Sequence, residues 1–392
     1  MIMLEKKPRL DKLNKQVLLL LFFLNPFFGA FGALIFLFYS NGNKRGLNFL
    51  SILISLYISF INVFKGRDIG DVVSIKESFE DTANFDYLGF LEFMFEEPVY
   101  SSLLWVINRL SFGNFNFFIL ITSFIFYYLL SKSLISISYH FKLPLKAIRF
   151  SLIFLFFFPL IFTWSFHLTR QVLAISFFIY FLTNQTVNNK FNIYLLVLSI
   201  LTHTSTALYL PLVLFLYFKG RFSKSITYPL FGLILTLWIV LYNKIISFFA
   251  YTSAISERFK DAGYTDGNEI NTTVYYLVIL ILIYVVYKIM SESYVTSIFL
   301  NYFIYTSLII LVTITLFPLI SYRFTVNFYI LLPFVFLYFI KKTTSNYIYI
   351  GSFLILIWFN YYLFNGPYYY GSILDIYFNN IFNNFYGLFI QK

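Results

Sequence analysis

Apolar runs alternate with short polar segments along almost the whole chain of 392 residues. Runs of about 20 apolar residues span the hydrocarbon core of a bilayer, and they form helices because backbone polar groups in lipid must be paired within the segment. The period-2 alternation of a lipid-spanning β-strand is absent. The pattern therefore predicts an all-α polytopic integral membrane protein with about 11–12 transmembrane helices. The predicted spans are 17–38, 46–64, 114–137, 150–166, 171–183, 192–202, 204–218, 226–248, 273–290, 294–316, 324–340 and 346–364.

The composition excludes a soluble globular protein. Hydrophobic residues make up 60% of the chain and charged residues 11%, whereas soluble domains carry roughly 25% charged residues. The chain has no cysteine, so disulfides, thiolate chemistry and cysteine-based metal sites are excluded. The first apolar run lacks the small-residue cleavage site of a signal peptide, and we expect it to stay in the chain.

Charged residues are sorted between two alternating sets of connecting segments. The first set carries thirteen Lys and Arg and one acid, Glu292, whereas the second carries nine Lys and Arg and fourteen acids. Because cytoplasmic loops are enriched in Lys and Arg, we expect the first set inside and the second outside. The net charge of +11 then reflects inside loops near anionic lipid headgroups and not a nucleic-acid partner. The first set is 41–45, 132–149, 184–191, 219–224, 288–293 and 341–342; the second is 65–100, 167–170, 203, 244–273, 317–323 and 365–392.

Two outward segments are long, residues 65–113 and 249–273, and together they hold thirteen of the seventeen acids. Within the first, Pro98 to Leu110 reads as a short amphipathic helix with proline in its favoured first position. This helix is too short to span the bilayer, and we expect it in the outer interface. No repeat and no linker interrupts the chain, so residues 1–392 are predicted to form a single transmembrane domain.

The first apolar run conflicts with the later charge pattern. Residues 5–15 contain five Lys and Arg, which favours a cytoplasmic N-terminus. A single crossing at 17–38 would then place Lys44 and Arg45 outside and invert every later loop. Either the N-terminus is external, or the run bends at Asn25-Pro26 and returns. The sequence leaves both alternatives open.

The first long outward segment carries two candidate motifs. In Arg67-Asp68-x-x-Asp71, Asp68 either caps a helix end or orients Arg67 toward an anionic ligand, which the planar guanidinium can bind through two parallel hydrogen bonds. In Glu96-Glu97-Pro98-Val99-Tyr100, the acids either favour the positive end of a helix or act on a sugar hydroxyl.

Two further motifs lie at the outward ends of predicted spans. In His167-x-x-Arg170-Gln171, Arg170 is either an interfacial residue that snorkels or a functional cation, since ionisable residues at membrane depth are costly. At i and i+3, His167 and Arg170 are expected on one helix face. In Thr202-His203-Thr204-Ser205, the histidine is either a hydrogen-bonded core residue or a base or donor toward a phosphate.

Arginines recur on the outward face. Arg258 with Tyr264 lies in the second long segment, and Tyr322-Arg323 begins a predicted span. Together with Arg67 and Arg170 they predict a cationic pocket for a polyanionic headgroup such as pyrophosphate. A catalytic zinc site is not expected, because the chain has only three histidines and lacks an HExxH motif.

The order of these motifs resembles a known family. RDxxD, EPVY, TRQVLA, THTSTALYLP, RFKDAGY and YRFTVNFY follow one another over roughly residues 60–340, and the order is similar to that of the EpsG-like family of Wzy-type polysaccharide polymerases. The most specific parts are the R-Q-x-x-A helix and the H-x-S turn followed by an apolar run and Pro211. The basic N-terminal segment departs from the family's usual short N-terminus.

The resemblance implies a fold, a location and a reaction. Members are glycosyltransferases of O-antigen, capsule and exopolysaccharide synthesis, multi-pass proteins of the bacterial inner membrane with a GT-C-like helical bundle and an active site facing the periplasm. The donor is a growing glycan on undecaprenyl pyrophosphate, and the acceptor is one lipid-linked repeat unit. Neither cofactor nor metal is implied. The expected partners are the lipid-linked glycans, membrane lipids, a flippase and a chain-length regulator.

Residue roles are expected as follows. A neighbouring pyrophosphate would raise the pKa of a histidine, so a carboxylate, Asp68 or Glu97, is favoured as the base that activates the acceptor hydroxyl. His203 would then donate to phosphate or hold the acceptor. The expected catalytic residues are Asp68, Glu97 and His203, and the expected substrate-binding residues are Arg67, Asp71, Tyr100, His167, Arg170, Gln171, Ser205, Arg258, Tyr264, Tyr322 and Arg323.

Two other functions share much of this pattern. An O-antigen ligase usually has its large outer loop late in the chain, whereas here a long outer segment comes early. A transporter or flippase of lipid-linked sugars would show internal repeats and charges at mid-membrane, whereas the charges here gather at one face.

Overall fold

The computed structural model describes residues 12–39, 43–63, 71–93, 97–218, 318–340 and 345–365, with single positions between 237 and 310. Every regular element within these ranges is a helix, and none of the described residues lies in a β-strand. The α-helices are α1 Lys12–Leu24, α2 Pro26–Tyr39, α3 Lys44–Val63, α4 Asp71–Asp81, α5 Tyr87–Phe93, α6 Pro98–Leu110, α7 Phe115–His140, α8 Leu145–Phe157, α9 Pro159–His167, α10 Thr169–Asn188, α11 Ile193–Thr202, α12 Leu210–Phe218, α13 Pro318–Phe339 and α14 Ser345–Asn365. Short 3₁₀ turns cover Thr82–Asn84 and Thr204–Tyr209.

Candidate membrane spans are present among the described helices, as the apolar pattern predicts. Helices α3 and α7 are long and apolar enough to cross a bilayer, and α8 with α9 counts as a third span bent by 48°. The bend lies at Pro159, which has no N–H and restricts Phe158 to an extended conformation, φ −78° and ψ 119°. The predicted spans 226–248 and 273–290 lie outside the described residues apart from two single positions. The full count of spans and the GT-C-like arrangement stay predictions.

The described residues group into two compact units, residues 1–204 with 332–392, and residues 205–331. In the first unit α3 packs along α7, α7 packs along α10, and α10 packs along α11. Nearly all of α3 from Leu47 to Val63 is buried. In the second unit Tyr209 is a buried centre: its hydroxyl accepts from the amide of Asn327 (2.8 Å) and pairs with the hydroxyl of Thr306 (3.2 Å).

A buried polar cluster joins three helices in the first unit. The amide nitrogen of Asn62 at the end of α3 lies 3.1 Å from the hydroxyls of Ser123 on α7 and Ser165 on α9. The Ser165 hydroxyl donates to the Phe162 carbonyl (2.8 Å), so it accepts from Asn62 and from the hydroxyl of Tyr127, 3.2 Å away. The cluster fixes the end of α9, two residues before His167.

Replacing Asn62 with alanine is expected to lower the free energy of unfolding by about 1–3 kcal/mol, since it removes two hydrogen bonds and leaves buried hydroxyls with fewer partners. The measurement is thermal unfolding of purified protein in detergent. Asn188→Ala is the matched control, because the exposed side chain of Asn188 bonds the side chain of Asn184 one turn away. Equal unfolding temperatures for the two variants would contradict a stabilising role of the cluster.

Helices α4 and α5 pack against α6. The amide of Asn108 donates to the carbonyl of Phe79 (2.7 Å), and the guanidinium of Arg109 donates to the carbonyl of Phe85 (3.1 Å). Arg109 also lies over the ring of Trp105, 5.3 Å from its centroid. Helix α6 has the predicted bounds, and Pro98 occupies its first turn. Its place at the outer interface stays a prediction.

The first apolar run is two helices and not one. The chain breaks at Asn25, whose side-chain oxygen accepts from the N–H of Phe27 (2.9 Å), and Pro26 begins α2. A β-carbon placed on Gly29 would lie 2.4 Å from the α-carbon of Phe22, so α2 folds back along α1. The structure therefore has the bend at Asn25-Pro26, the second of the two alternatives.

Candidate functional site

Three side chains from three separate elements meet in the first unit. Glu97 precedes α6, Arg170 lies in the first turn of α10, and His203 follows α11. The guanidinium of Arg170 lies 3.0 Å from one carboxylate oxygen of Glu97, and Nδ1 of His203 hydrogen-bonds the other. We call these three residues the Glu97 centre.

Local sequence places the carboxylate of Glu97. Because Pro98 follows it, Glu97 avoids the helical conformation and takes φ −137° and ψ 67°. Its side chain makes no capping bond to the helix, so the carboxylate is available to the other two residues. The hydroxyl of Ser101 donates to the Glu97 carbonyl (3.0 Å) and fixes the backbone there.

Helix breaks place the two partners of Glu97. The chain breaks at Leu168, and Arg170 lies in the first turn of the helix that follows. The hydroxyl of Thr169 donates to the Phe166 carbonyl of the preceding helix (2.9 Å). His203 ends α11 in an extended conformation, φ −155° and ψ 119°. The hydroxyl of Ser199, one turn earlier, donates to the Ala174 carbonyl (2.7 Å) and ties α11 to α10.

The Glu97 centre is largely removed from solvent. The side chain of Glu97 is 9% exposed, that of His203 12% and that of Arg170 31%. Burial alone would raise the pKa of Glu97, but the hydrogen bond and charge of His203, followed by those of Arg170, outweigh it and hold the pKa below the ordinary value. The stabilisation from this carboxylate is therefore present at neutral pH and is lost as the pH falls through its lowered pKa.

Tyr100 packs against the arginine of the centre. Its ring is 1% exposed, and the guanidinium carbon of Arg170 lies 5.9 Å from the ring centroid. A guanidinium over an aromatic face is attracted by the ring quadrupole. The arginine is thus held by a carboxylate and by an aromatic ring, which restricts its orientation.

The pairing with Glu97 also decides which imidazole nitrogen carries the shared proton. An ionised carboxylate only accepts hydrogen bonds, so Nδ1 of His203 carries the proton shared with Glu97. In the neutral ring the other nitrogen, Nε2, is then an acceptor, and no residue of the described ranges hydrogen-bonds it. A histidine whose Nδ1 proton is held by a buried carboxylate is the arrangement that orients a general base.

The model of the EpsG family matches residues 48–377 of the chain. The chain belongs to the EpsG family. This family is associated with glycosyltransferase-like polymerases of polysaccharide biosynthesis. The matched range contains the Glu97 centre and most of α3, whereas α1 and α2 precede it. Neither the comparison with curated proteins nor the comparison with solved structures gives a match.

In this EpsG-family chain the structure brings together four of the sequence-predicted site residues: Glu97, Tyr100, Arg170 and His203. His167 and Gln171, which lie near Arg170 in the sequence, are buried, 8% and 4% exposed. The prediction that His167 and Arg170 share one helix face is wrong, because α9 ends at His167 and α10 starts at Thr169.

The other predicted site residues are placed only in part. Asp71 starts α4, and Tyr322 and Arg323 lie in α13, but the described part of these residues is the backbone. Ser205 belongs to the second unit and is half-buried. Outside the described residues lie Arg67, Asp68, Arg258 and Tyr264.

Two positioning residues were not predicted from the sequence. Ser101 holds the backbone of Glu97, and Ser199 holds the helix end that presents His203. Each serine lies four residues from the residue it positions, but hydroxyls in helices commonly bond the carbonyl one turn earlier, so the spacing alone carries little information. In the part of the chain that the structure describes, no three His, Asp or Glu side chains gather to hold a metal ion.

Proposed function

We propose that this protein polymerises oligosaccharide repeat units carried on undecaprenyl pyrophosphate, at the outer face of the bacterial cytoplasmic membrane. The observation that supports this most directly is the Glu97 centre, a buried carboxylate between an arginine and a histidine in a chain of the EpsG family. It combines a group that can accept a proton with a cation that suits a phosphate.

In the proposed reaction a hydroxyl of the acceptor repeat unit attacks the anomeric carbon of the donor glycan. A bond forms between the acceptor oxygen and that carbon, and the bond from the carbon to the pyrophosphate oxygen breaks. The hydroxyl proton passes to a base, and undecaprenyl pyrophosphate leaves with the bonding electron pair. Because the transition state has oxocarbenium character, the two groups that matter are the base and the cation near the leaving group.

His203 is the base in this proposal. Its Nε2 is the acceptor that the pairing with Glu97 leaves available, and Glu97 stabilises the imidazolium that forms. Glu97 itself is a weak base, because His203 and Arg170 both stabilise its ionised form and lower its pKa. This assignment differs from the carboxylate base favoured on the sequence alone, where the pairing of Glu97 with His203 is not visible.

Arg170 neutralises the departing pyrophosphate in this proposal. It is fixed by Glu97 and by the ring of Tyr100, and its side chain is 31% exposed, so it is only partly buried. A fixed guanidinium binds phosphate oxygens without first losing its own side-chain freedom.

The proposed function is tested by deleting the gene in its native host and complementing it with the wild-type chain. Surface polysaccharide is then separated on a gel. Loss of a polymerase leaves cores with a single repeat unit, and complementation restores the ladder of longer chains. Bare cores in the deletion strain would instead indicate a ligase or a flippase and would contradict the proposal.

A further inference from the structure

Helices α1 and α2 form an antiparallel hairpin. Besides the contact of Gly29 with Phe22, a β-carbon on Gly32 would lie 2.7 Å from a methyl carbon of Leu18. In one continuous helix residues 18 and 32 would be about 21 Å apart. The two contacts pair residues at nearly equal distances from the break at Asn25, so α2 runs back beside α1 for at least two turns.

The hairpin is too short to cross a bilayer. Helix α1 has 13 residues and α2 has 14, which corresponds to about 20 Å each at a rise of about 1.5 Å per residue. The hydrocarbon core is about 30 Å thick. Helix α3, with 20 residues, reaches about that length, so the hairpin and α3 differ in depth.

Ring contacts show where the hairpin lies along α3. Near its open end, the ammonium of Lys15 lies 5.8 Å from the ring centroid of Phe49, in the second turn of α3. At the tip, the ring of Phe27 lies 6.1 Å from that of Tyr57. Tyr57 is six residues before the end of α3 at Val63, about 9 Å along the helix axis. The hairpin therefore follows α3 from its first residues and stops before its last turns.

The ends of α2 and α14 agree with this placement. The ring of Phe38, in the last turn of α2, lies 6.3 Å from the ring of Tyr349, in the second turn of α14. Both ends of the hairpin thus lie beside the first turns of α3 and α14. The Glu97 centre lies toward the opposite end of α3, since Asn62 in the last turn of α3 bonds Ser165, five residues before Arg170.

The basic residues and the exposed apolar residues of the hairpin both suit a lipid bilayer. Residues 12–45 contain four basic residues and no acid, and all four lie at the open end: Lys12, Lys15, Lys44 and Arg45. The exposed face of the hairpin is apolar, with Leu20 61% exposed and Phe23 and Phe31 each 54% exposed. An apolar face of this kind beside a membrane-spanning helix is suited to acyl chains, and basic residues at its base are suited to anionic headgroups.

We propose that α1 and α2 are a re-entrant hairpin that enters the membrane from the cytoplasmic side, with acyl chains against Phe23 and Phe31 and anionic headgroups at its basic open end. Both ends of the hairpin then lie in the cytoplasm, and α3 is the first helix to cross. This removes the conflict in the charge pattern, because the basic residues of 5–15 and those of 44–45 come to the same side. The inference is independent of the reaction that the Glu97 centre carries out.

Cysteine accessibility tests the hairpin, because the natural chain has no cysteine. We expect Lys12→Cys and Tyr39→Cys, at the two ends, to be protected from an impermeant maleimide in intact spheroplasts and labelled after permeabilisation. Phe112→Cys is the reference for the opposite side, since Phe112 is 98% exposed just before α7; it should be labelled in intact spheroplasts. Labelling of the two hairpin ends from opposite sides would overturn the hairpin, and labelling of both from outside would overturn its entry from the cytoplasmic side.

Two further measurements test the location of the ends and the surroundings of the apolar face separately. Protease sites placed before residue 12 and at residue 41 should be cut from the same, cytoplasmic side, which repeats the test without cysteines. A nitroxide on Phe23→Cys in vesicles should collide with oxygen and not with a water-soluble nickel chelate if acyl chains cover it. Collisions with neither would indicate cover by a second copy of the chain, and collisions mainly with the chelate would indicate water; either result would overturn the proposal.

Discussion

His203→Ala is expected to reduce chain extension by at least about a hundredfold, since a positioned general base contributes about 10²–10⁴-fold. Nε2 of His203 is the acceptor that its bond to Glu97 leaves available. Glu97→Gln should also lower the rate, because an amide does not stabilise the imidazolium as a carboxylate does. The measurement is the rate of polymer formation per amount of membrane-inserted protein.

Matched variants distinguish His203 as the base from a carboxylate as the base. His140→Ala removes a histidine at the far end of α7 that is exposed and contacts the ring of Phe141, and it should extend chains at the wild-type rate. Asp68→Asn should retain most activity, because His203 takes the proton. Wild-type extension by His203→Ala together with an inactive Asp68→Asn or Glu97→Gln would assign the base to a carboxylate instead.

Arg170→Ala is expected to leave no polymer ladder on gels, with residual extension measurable only in a single-turnover assay, while the protein still accumulates in the membrane. Losing one charge-assisted hydrogen bond costs about 1.5–3 kcal/mol, and here the same change leaves the buried Glu97 with one partner fewer. Arg170→Lys should restore activity only in part, because an ammonium lacks the planar fork. Chain length on gels and single-turnover extension with lipid-linked repeat units measure both effects.

Arg45→Ala provides the matched loss of one positive charge, at the exposed start of α3 and away from the Glu97 centre. It should leave extension unchanged. Since Arg170 and Glu97 are in contact, the double variant Arg170→Ala with Glu97→Gln should lose less than the sum of the two single losses. Additive losses, or normal ladders from Arg170→Ala, would remove the arginine from the mechanism.

Local features of the sequence were sufficient for much of the fold. The spans of α3 and α7 follow from apolar length, and the bounds of α6 follow from Pro98 and from an amphipathic pattern that ends at Leu110. The break between α9 and α10 lies in the predicted connecting segment 167–170, but its exact position was not predictable, because Leu168 is neither a glycine nor a proline and carries no local signal of a helix end.

The composition of the site was partly predictable, and its pairing was not. Arg170 and His203 were identified as ionisable residues at span ends, where such residues are costly and often functional, and Glu97 was identified as an acid of the first long outward segment. Their contacts join residues that are 73 and 106 positions apart, and a single sequence does not record tertiary proximity at that separation. The role proposed for His203 depends on that contact, which the sequence alone does not show.

Glycine packing decides the path of the N-terminal region. The sequence shows Asn25-Pro26 as a bend, but whether the chain returns depends on the approach of Gly29 to the backbone of Phe22. Small residues permit such close helix contacts in membranes, and many glycines in apolar runs have no such role. Only the structure distinguishes the hairpin from a kinked crossing.

The most direct test of the central claim is chain extension by the purified protein in liposomes, supplied with lipid-linked repeat units and no nucleotide sugar. We expect a ladder of polymers on undecaprenyl pyrophosphate from the wild-type chain, together with release of free undecaprenyl pyrophosphate. The His203→Ala and Arg170→Ala proteins should give neither product. A wild-type protein that leaves single repeat units unextended, or a His203→Ala protein that extends them normally, would contradict the account.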